Sequence, residues 1–134
     1  MRIASLGSGS EGNALLIECR HGSDVVRLLI DCGFGIREAK RRLEGLGVAV
    51  TDLDAILVTH EHSDHVGGAF RLARAAQAPL YLTRGTLRAC SHLVATAGEG
   101  FVGSDQCRLV DPGRVFEVGG VAIEPIAVPH DAKE

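Results

Sequence analysis

Three histidines and two acidic residues fall within six positions of THEHSDHVGG, residues 59–68: His60, Glu61, His62, Asp64 and His65. On an extended backbone successive side chains alternate faces, so His60 and His62 project to one side and Glu61 to the other. After Ser63 the chain must turn, which can bring Asp64 and His65 back toward a point close to the first. Neutral imidazole and carboxylate bind zinc at about 2.0–2.2 Å, and a mixed nitrogen and oxygen set also suits manganese or iron. Two such ions roughly 3.5–4 Å apart can share a hydroxide and clamp both oxygens of a hydrolytic displacement. A lone histidine is usually a satisfied core or surface residue, which is the reading for His21 and His92. Histidines at i, i+2 and i+5 with an aspartate at i+4 are hard to obtain from packing alone, so the cluster reads as a metal site. Glu61 reads as a surface group or as support behind the ligands.

The elements that must position this loop follow from the apolar pattern. Residues 3–6, 14–18 and 25–31 read as three antiparallel strands, the first pair joined by GSGSEGN at 7–13 and the second by a turn near 21–24. Ile36, Ala39, Leu43 and Leu46 share one stripe of a helix stopped by Gly47. The aliphatic run at 55–59 suits a strand buried on both faces, and the histidine cluster begins where it ends. A helix over 69–77, a strand over 80–82 and a Thr83-capped helix over 84–94 follow. A last β region covers 108–110, 115–118 and 121–128, with a bend at Pro125. The Gly-rich stretch 97–106 is the one linker-like segment, and no internal repeat stands out.

Composition narrows the class. The chain has 134 residues, 46% hydrophobic and 23% charged, the size and balance of one globular domain or part of one. The longest apolar runs are strand-sized, and the N-terminus lacks the apolar core of a secretory signal, so a cytoplasmic location with no membrane association is expected. Cys19, Cys32, Cys90 and Cys107 form no CxxC pair and read as buried, reduced thiols, with Cys32 the one that could sit beside a metal. The net charge of −3 argues against a strongly basic nucleic-acid binder. Arginines and lysines at 37, 40, 41, 42, 71, 74, 84 and 88 read as solvated helix faces, without aromatic residues interleaved for base stacking. GSGSEGN joins two strands and lacks the lysine of a nucleotide-binding Walker loop. It reads first as a hairpin turn, and next as a turn lining an active-site rim through Ser8, Ser10 and Asn13.

His60, His62, Asp64 and His65 match, position by position, the HxHxDH hallmark of the metallo-β-lactamase superfamily, which this sequence resembles. LIDCG at 29–33 looks like that family's early strand ending in a structural aspartate, here Asp31. VPHDA places His130 where the family has a histidine at a strand end. The resemblance implies an α/β fold, the αββα sandwich with a mixed sheet and flanking helices, of which residues 1–134 form the N-terminal half of a single domain. It implies that His60, His62 and His130 hold a first Zn2+, and that Asp64 and His65 begin a second site, with Mn2+ or Fe2+ as other candidates. Asp31 would support the metal loop, and Asp64 would also orient or deprotonate the attacking water. A helix starting after Gly67 and Gly68 would place a positive dipole end near the anionic intermediate.

MRIASLGSGSEGNALLIE narrows the resemblance to the bacterial phosphodiesterase branch that includes DNA exonuclease-like proteins. The expected activity is metal-dependent hydrolysis of a phosphodiester in nucleic acid or a nucleotide. A thioester or lactam hydrolase of the same fold, and a non-catalytic metal-binding half-domain, remain open beside it. The family's bridging aspartate and last histidine should come after His130, where four residues follow. The chain is therefore expected to be a fragment that associates with itself or with a complementing C-terminal half, because a sheet face left wet forgoes about 25 cal/mol for each Å² of apolar surface.

Overall fold

A computed structural model describes residues 1–129, so His130 lies outside the described residues. Strands β1 (Arg2–Gly7), β2 (Ala14–His21) and β3 (Asp24–Ile30) form an antiparallel meander. Strands β4 (Ala55–Leu57), β5 (Leu80–Leu82) and β6 (Cys107–Leu109) then add in parallel, giving one mixed sheet in the order β1-β2-β3-β4-β5-β6. Each parallel step needs a crossover. Helix α1 (Ile36–Gly45) links β3 to β4, α2 (Ser63–Val66) and α3 (Ala69–Ala76) link β4 to β5, and α4 (Arg84–Ala89) and α5 (Ser91–Val94) link β5 to β6.

Strand alternation sorts the core into two layers. Leu16, Leu29, Ile56, Leu80 and Leu82 face the helices, packing with Ala39 and Leu43 of α1 and with Phe70, Leu72 and Ala73 of α3. Val26, Leu28, Ala55 and Tyr81 face the other way, against Val118 and Phe116 of a separate hairpin, β7 (Phe116–Val118) and β8 (Val121–Ile123). A cavity of about 410 Å³ lies on that side, bounded by Leu57, Tyr81, Phe116, Ile123 and Ile126, and it reaches Thr59 and His60.

Several expectations meet a different backbone. The helix expected over 84–94 breaks at Cys90, whose φ of −97° and ψ of 16° end α4, although Thr83 does cap it by accepting from the Thr86 N–H at 3.1 Å. The linker-like stretch is packed rather than free: Phe101 is buried and meets Phe70 edge-on at 6.0 Å between ring centroids. Gln106 Nε2 donates to the carbonyls of Ala73 and Ala78, which ties the end of the same stretch under α3. One phenylalanine among glycines carries no period, which is why composition misleads there. The last strand ends at Ile123 rather than continuing to 128, and β4 ends at Leu57 rather than 59.

Candidate metal centre

The C-terminal ends of β3, β4 and β5 lie at one edge of the sheet, and the register Leu15↔Ile30 brings the loop between β1 and β2 to that same edge. Three loops meet there backbone to backbone. The N–H of Cys32 donates to the His65 carbonyl at 2.7 Å and that of Gly68 to the Cys32 carbonyl at 2.8 Å, while the Asn13 N–H donates to the Asp64 carbonyl at 2.7 Å. This approach excludes side chains. A Cβ on Gly33 would lie 1.9 Å from the Asp64 carbonyl oxygen, and one on Gly68 would lie 1.7 Å from that of Phe34.

Asp31 occupies the centre of this junction in the left-handed region, at φ 61°, a conformation that aspartate tolerates better than most residues. Its carboxylate is buried and accepts three hydrogen bonds: the Thr59 N–H at 2.7 Å, the Thr59 hydroxyl at 2.7 Å and His65 Nδ1 at 2.8 Å. Because the Thr59 hydroxyl spends its one proton on Asp31, its oxygen accepts from His60 Nδ1 at 2.9 Å. A carboxylate only accepts, so His65 also carries its proton on Nδ1. Asp31 thereby fixes the tautomer of both rings, directly for His65 and through Thr59 for His60, and leaves Nε2 as the lone-pair nitrogen of each. That is the arrangement in which a carboxylate behind a histidine prepares it for a metal. Thr59 was not singled out from sequence; its place immediately before the first histidine was the available signal.

The rings converge. His60 lies 4.6 Å from His62 and 4.1 Å from His65 between ring centroids, and His65 Nε2 is 3.7 Å from Asp64 Oδ2. After Ser63 the backbone makes the one-turn helix α2, with His62 as the extended residue before it, in place of a simple turn. The imidazole and carboxylate types, and the two fixed tautomers, suit a divalent ion with nitrogen and oxygen ligands. Among the described residues no three such side chains form a complete ligand group. Asn13 reaches the cluster through its side-chain amide, which donates to Asp64 Oδ2 at 3.0 Å, whereas Ser8 and Ser10 are exposed on the same loop.

Burial pushes the Cys32 thiol up to about 12, with the Asp31 charge adding to it, and the thiol donates to the Phe34 carbonyl at 3.4 Å. Fully buried and turned to the Phe34 carbonyl, the thiol packs as an apolar group of the core. Cys90 is likewise pushed up to about 11, chiefly by burial and also by the charge of Glu61. Among the described residues no helix is long and apolar enough to cross a membrane.

A mixed sheet whose strand ends carry an HxHxDH loop, clamped by an aspartate from the neighbouring strand, defines the metallo-hydrolase class of α/β folds. The chain belongs to the beta-lactamase superfamily, whose domain pattern matches residues 26–134. It is 34% identical over 134 residues to the exodeoxyribonuclease YycJ of Bacillus anthracis, covering all of this chain and 47% of that protein. It is 35% identical over 131 residues to the exodeoxyribonuclease WalJ of Streptococcus pneumoniae D39, covering 98% of this chain and 46% of that one. Among solved structures, the subclass B3 metallo-beta-lactamase MEM-A1 from a soil metagenome library superposes with a TM-score of 0.69 at 23% identity, over 98% of this chain and 51% of that one. At that identity the likeness is one of fold. The chain spans about half the length of the curated relatives it matches.

Proposed function

We propose that this chain carries the metal loop of a phosphodiesterase of the exodeoxyribonuclease type, acting on DNA in the cytoplasm. The observation that carries the reading is the 34–35% identity to two proteins of that name along essentially the whole chain. The thioester and lactam readings have no comparable support, since the likeness to lactamases is one of fold.

In this reading His60 and His62 hold one divalent ion together with His130, which lies outside the described residues. Asp64 and His65 contribute to a second, and zinc or manganese suits both. The chemistry supplied by a bound metal is acidification of a water and compensation of charge on the phosphate oxygens. The residues of this chain do the rest. Asp31 holds His65 and, through Thr59, His60 in the tautomer that presents Nε2. Asp64 is the carboxylate that orients the attacking water and takes its proton.

The test is hydrolysis of end-labelled DNA and of bis-p-nitrophenyl phosphate by metal-stripped protein, with zinc or manganese restored. The full-length protein and the 134-residue chain are assayed side by side. The proposal requires metal-dependent release of nucleotides from DNA by the full-length protein, abolished by His62→Ala. Hydrolysis of a β-lactam or thioester in place of DNA would overturn it.

A further inference from the structure

Asn13 lies in the loop between β1 and β2, 51 residues from the carboxylate it touches. Its Oδ1 accepts from the Gly9 N–H at 3.1 Å, and its Nδ2 donates to the Gly9 carbonyl at 2.9 Å. The second Nδ2 proton is shared between two oxygens of one residue, the Asp64 carbonyl at 3.1 Å and Asp64 Oδ2 at 3.0 Å.

Holding the loop in place does not require this side chain. Backbone atoms already do so, since the Asn13 N–H donates to the Asp64 carbonyl at 2.7 Å and the Asn13 carbonyl accepts from the Gly33 N–H at 3.1 Å. The side-chain contact with Oδ2 adds something else, a fixed rotamer for the Asp64 carboxylate. Asp64 Oδ2 accepts from Asn13, with the unprotonated His65 Nε2 lying 3.7 Å away, and no hydrogen bond reaches Oδ1 among the described residues. A carboxylate pinned through one oxygen has its other oxygen aimed in one direction.

We infer that Asn13 is the positioning residue of this centre: its amide pins Asp64 Oδ2, sets the direction of Oδ1, and couples the Gly–Ser loop to the carboxylate that orients water. The inference rests on the reading of Asp64 as a site carboxylate. The loop carrying Ser8 and Ser10 then communicates with Asp64 through the Gly9–Asn13 bonds, so a group bound on that loop would be felt at the carboxylate.

Asn13→Asp keeps one tie to the loop, since its carboxylate can still accept from the Gly9 N–H, but it loses the donor to the Gly9 carbonyl and can only repel the Asp64 oxygens. Asn13→Ala removes both contacts and keeps the backbone ties. In the metal-free full chain, Asp64→Asn should move the side-chain amide resonances of Asn13 in a nitrogen-15 NMR spectrum; resonances left in place would overturn the inference. In titrations with manganese or zinc, Asn13→Asp should weaken binding by about 10–100-fold and Asn13→Ala by about tenfold, the range for groups behind metal ligands. Wild-type affinity in both variants would overturn it as well. In DNA hydrolysis by the full-length protein, kcat should fall with KM unmoved; a change confined to the melting midpoint would mean a merely structural role. If metal binding depends on Asn13 while wild type cleaves no DNA, the positioning role stands and the DNA-phosphodiesterase reading falls.

Discussion

The two faces of the sheet are built differently. On the helix side, among the described residues, twenty-five buried residues form one continuous cluster that runs from Leu6 to Phe101. On the hairpin side five do, beside an apolar cavity, and Ile126 and Val128 of the following segment are 74% and 69% exposed. The loop junction at the strand ends belongs to the first kind of region: backbone meets backbone there at distances that admit only glycine. The geometry of the histidines therefore depends on the helix-side core and the junction, while the hairpin side contributes a wall to the cavity beside His60. The closest backbone packing lies where the ligand-type side chains are carried.

Substitutions can break that contrast, beginning with the junction. Gly68→Ala and Gly33→Ala should each destabilise the fold by about 3 kcal/mol or more, measured by urea unfolding, because the clash is with backbone that cannot move away. Gly45→Ala, in helix α1 with nothing within 4 Å of the new methyl, should instead stabilise by about 0.5–1 kcal/mol. A loss at Gly45 as large as that at Gly68 would remove the distinction between the junction and the rest of the fold. The cores come next. Leu72→Ala should cost about 3 kcal/mol and Val118→Ala about 1 kcal/mol, by the same denaturation. Equal costs would mean that the hairpin side is as tightly packed as the helix side.

The thiols give a smaller, pH-dependent effect. Cys32 and Cys90 are held protonated by burial, so the folded thiol ionises far above the unfolded value of 9.0. Their contribution is fully present below pH 9 and is lost as pH rises through the interval toward about 12 for Cys32 and about 11 for Cys90. Folded protein treated with iodoacetamide at pH 8 should accordingly remain unmodified at Cys32 and Cys90, read by peptide mass spectrometry. The smallest effect is at Glu38, which Arg41 and Arg42 hold down to about 2. Its stabilisation is present above pH 4.5 and fades as pH falls toward 2.

Much of this was legible in sequence because it was periodic or locally spaced. The stripe Ile36, Ala39, Leu43 and Leu46 gave α1, and Thr83 gave the start of α4. What escaped was long-range. Nothing in the sequence around Asn13 announces that its amide reaches Asp64, and nothing around Thr59 shows that its hydroxyl relays between Asp31 and His60. Gly33 stands in the sequence as the end of LIDCG and Gly68 as a residue leading into a helix, yet both let two backbones touch. Phe101 looked like part of a linker because its partner, Phe70, lies on another element. Pairings across the fold are set by tertiary geometry, which local propensity does not encode.

In the proposed reading, Asp31 prepares the histidines of this loop to hold a divalent ion. Calorimetric titration of the metal-stripped chain with zinc, beside Asp31→Asn and His62→Ala, tests it most directly. Asp31→Asn should bind about 10–100-fold more weakly and His62→Ala should lose the site, with circular dichroism confirming that both remain folded. Unchanged zinc affinity in folded Asp31→Asn and His62→Ala would contradict the account.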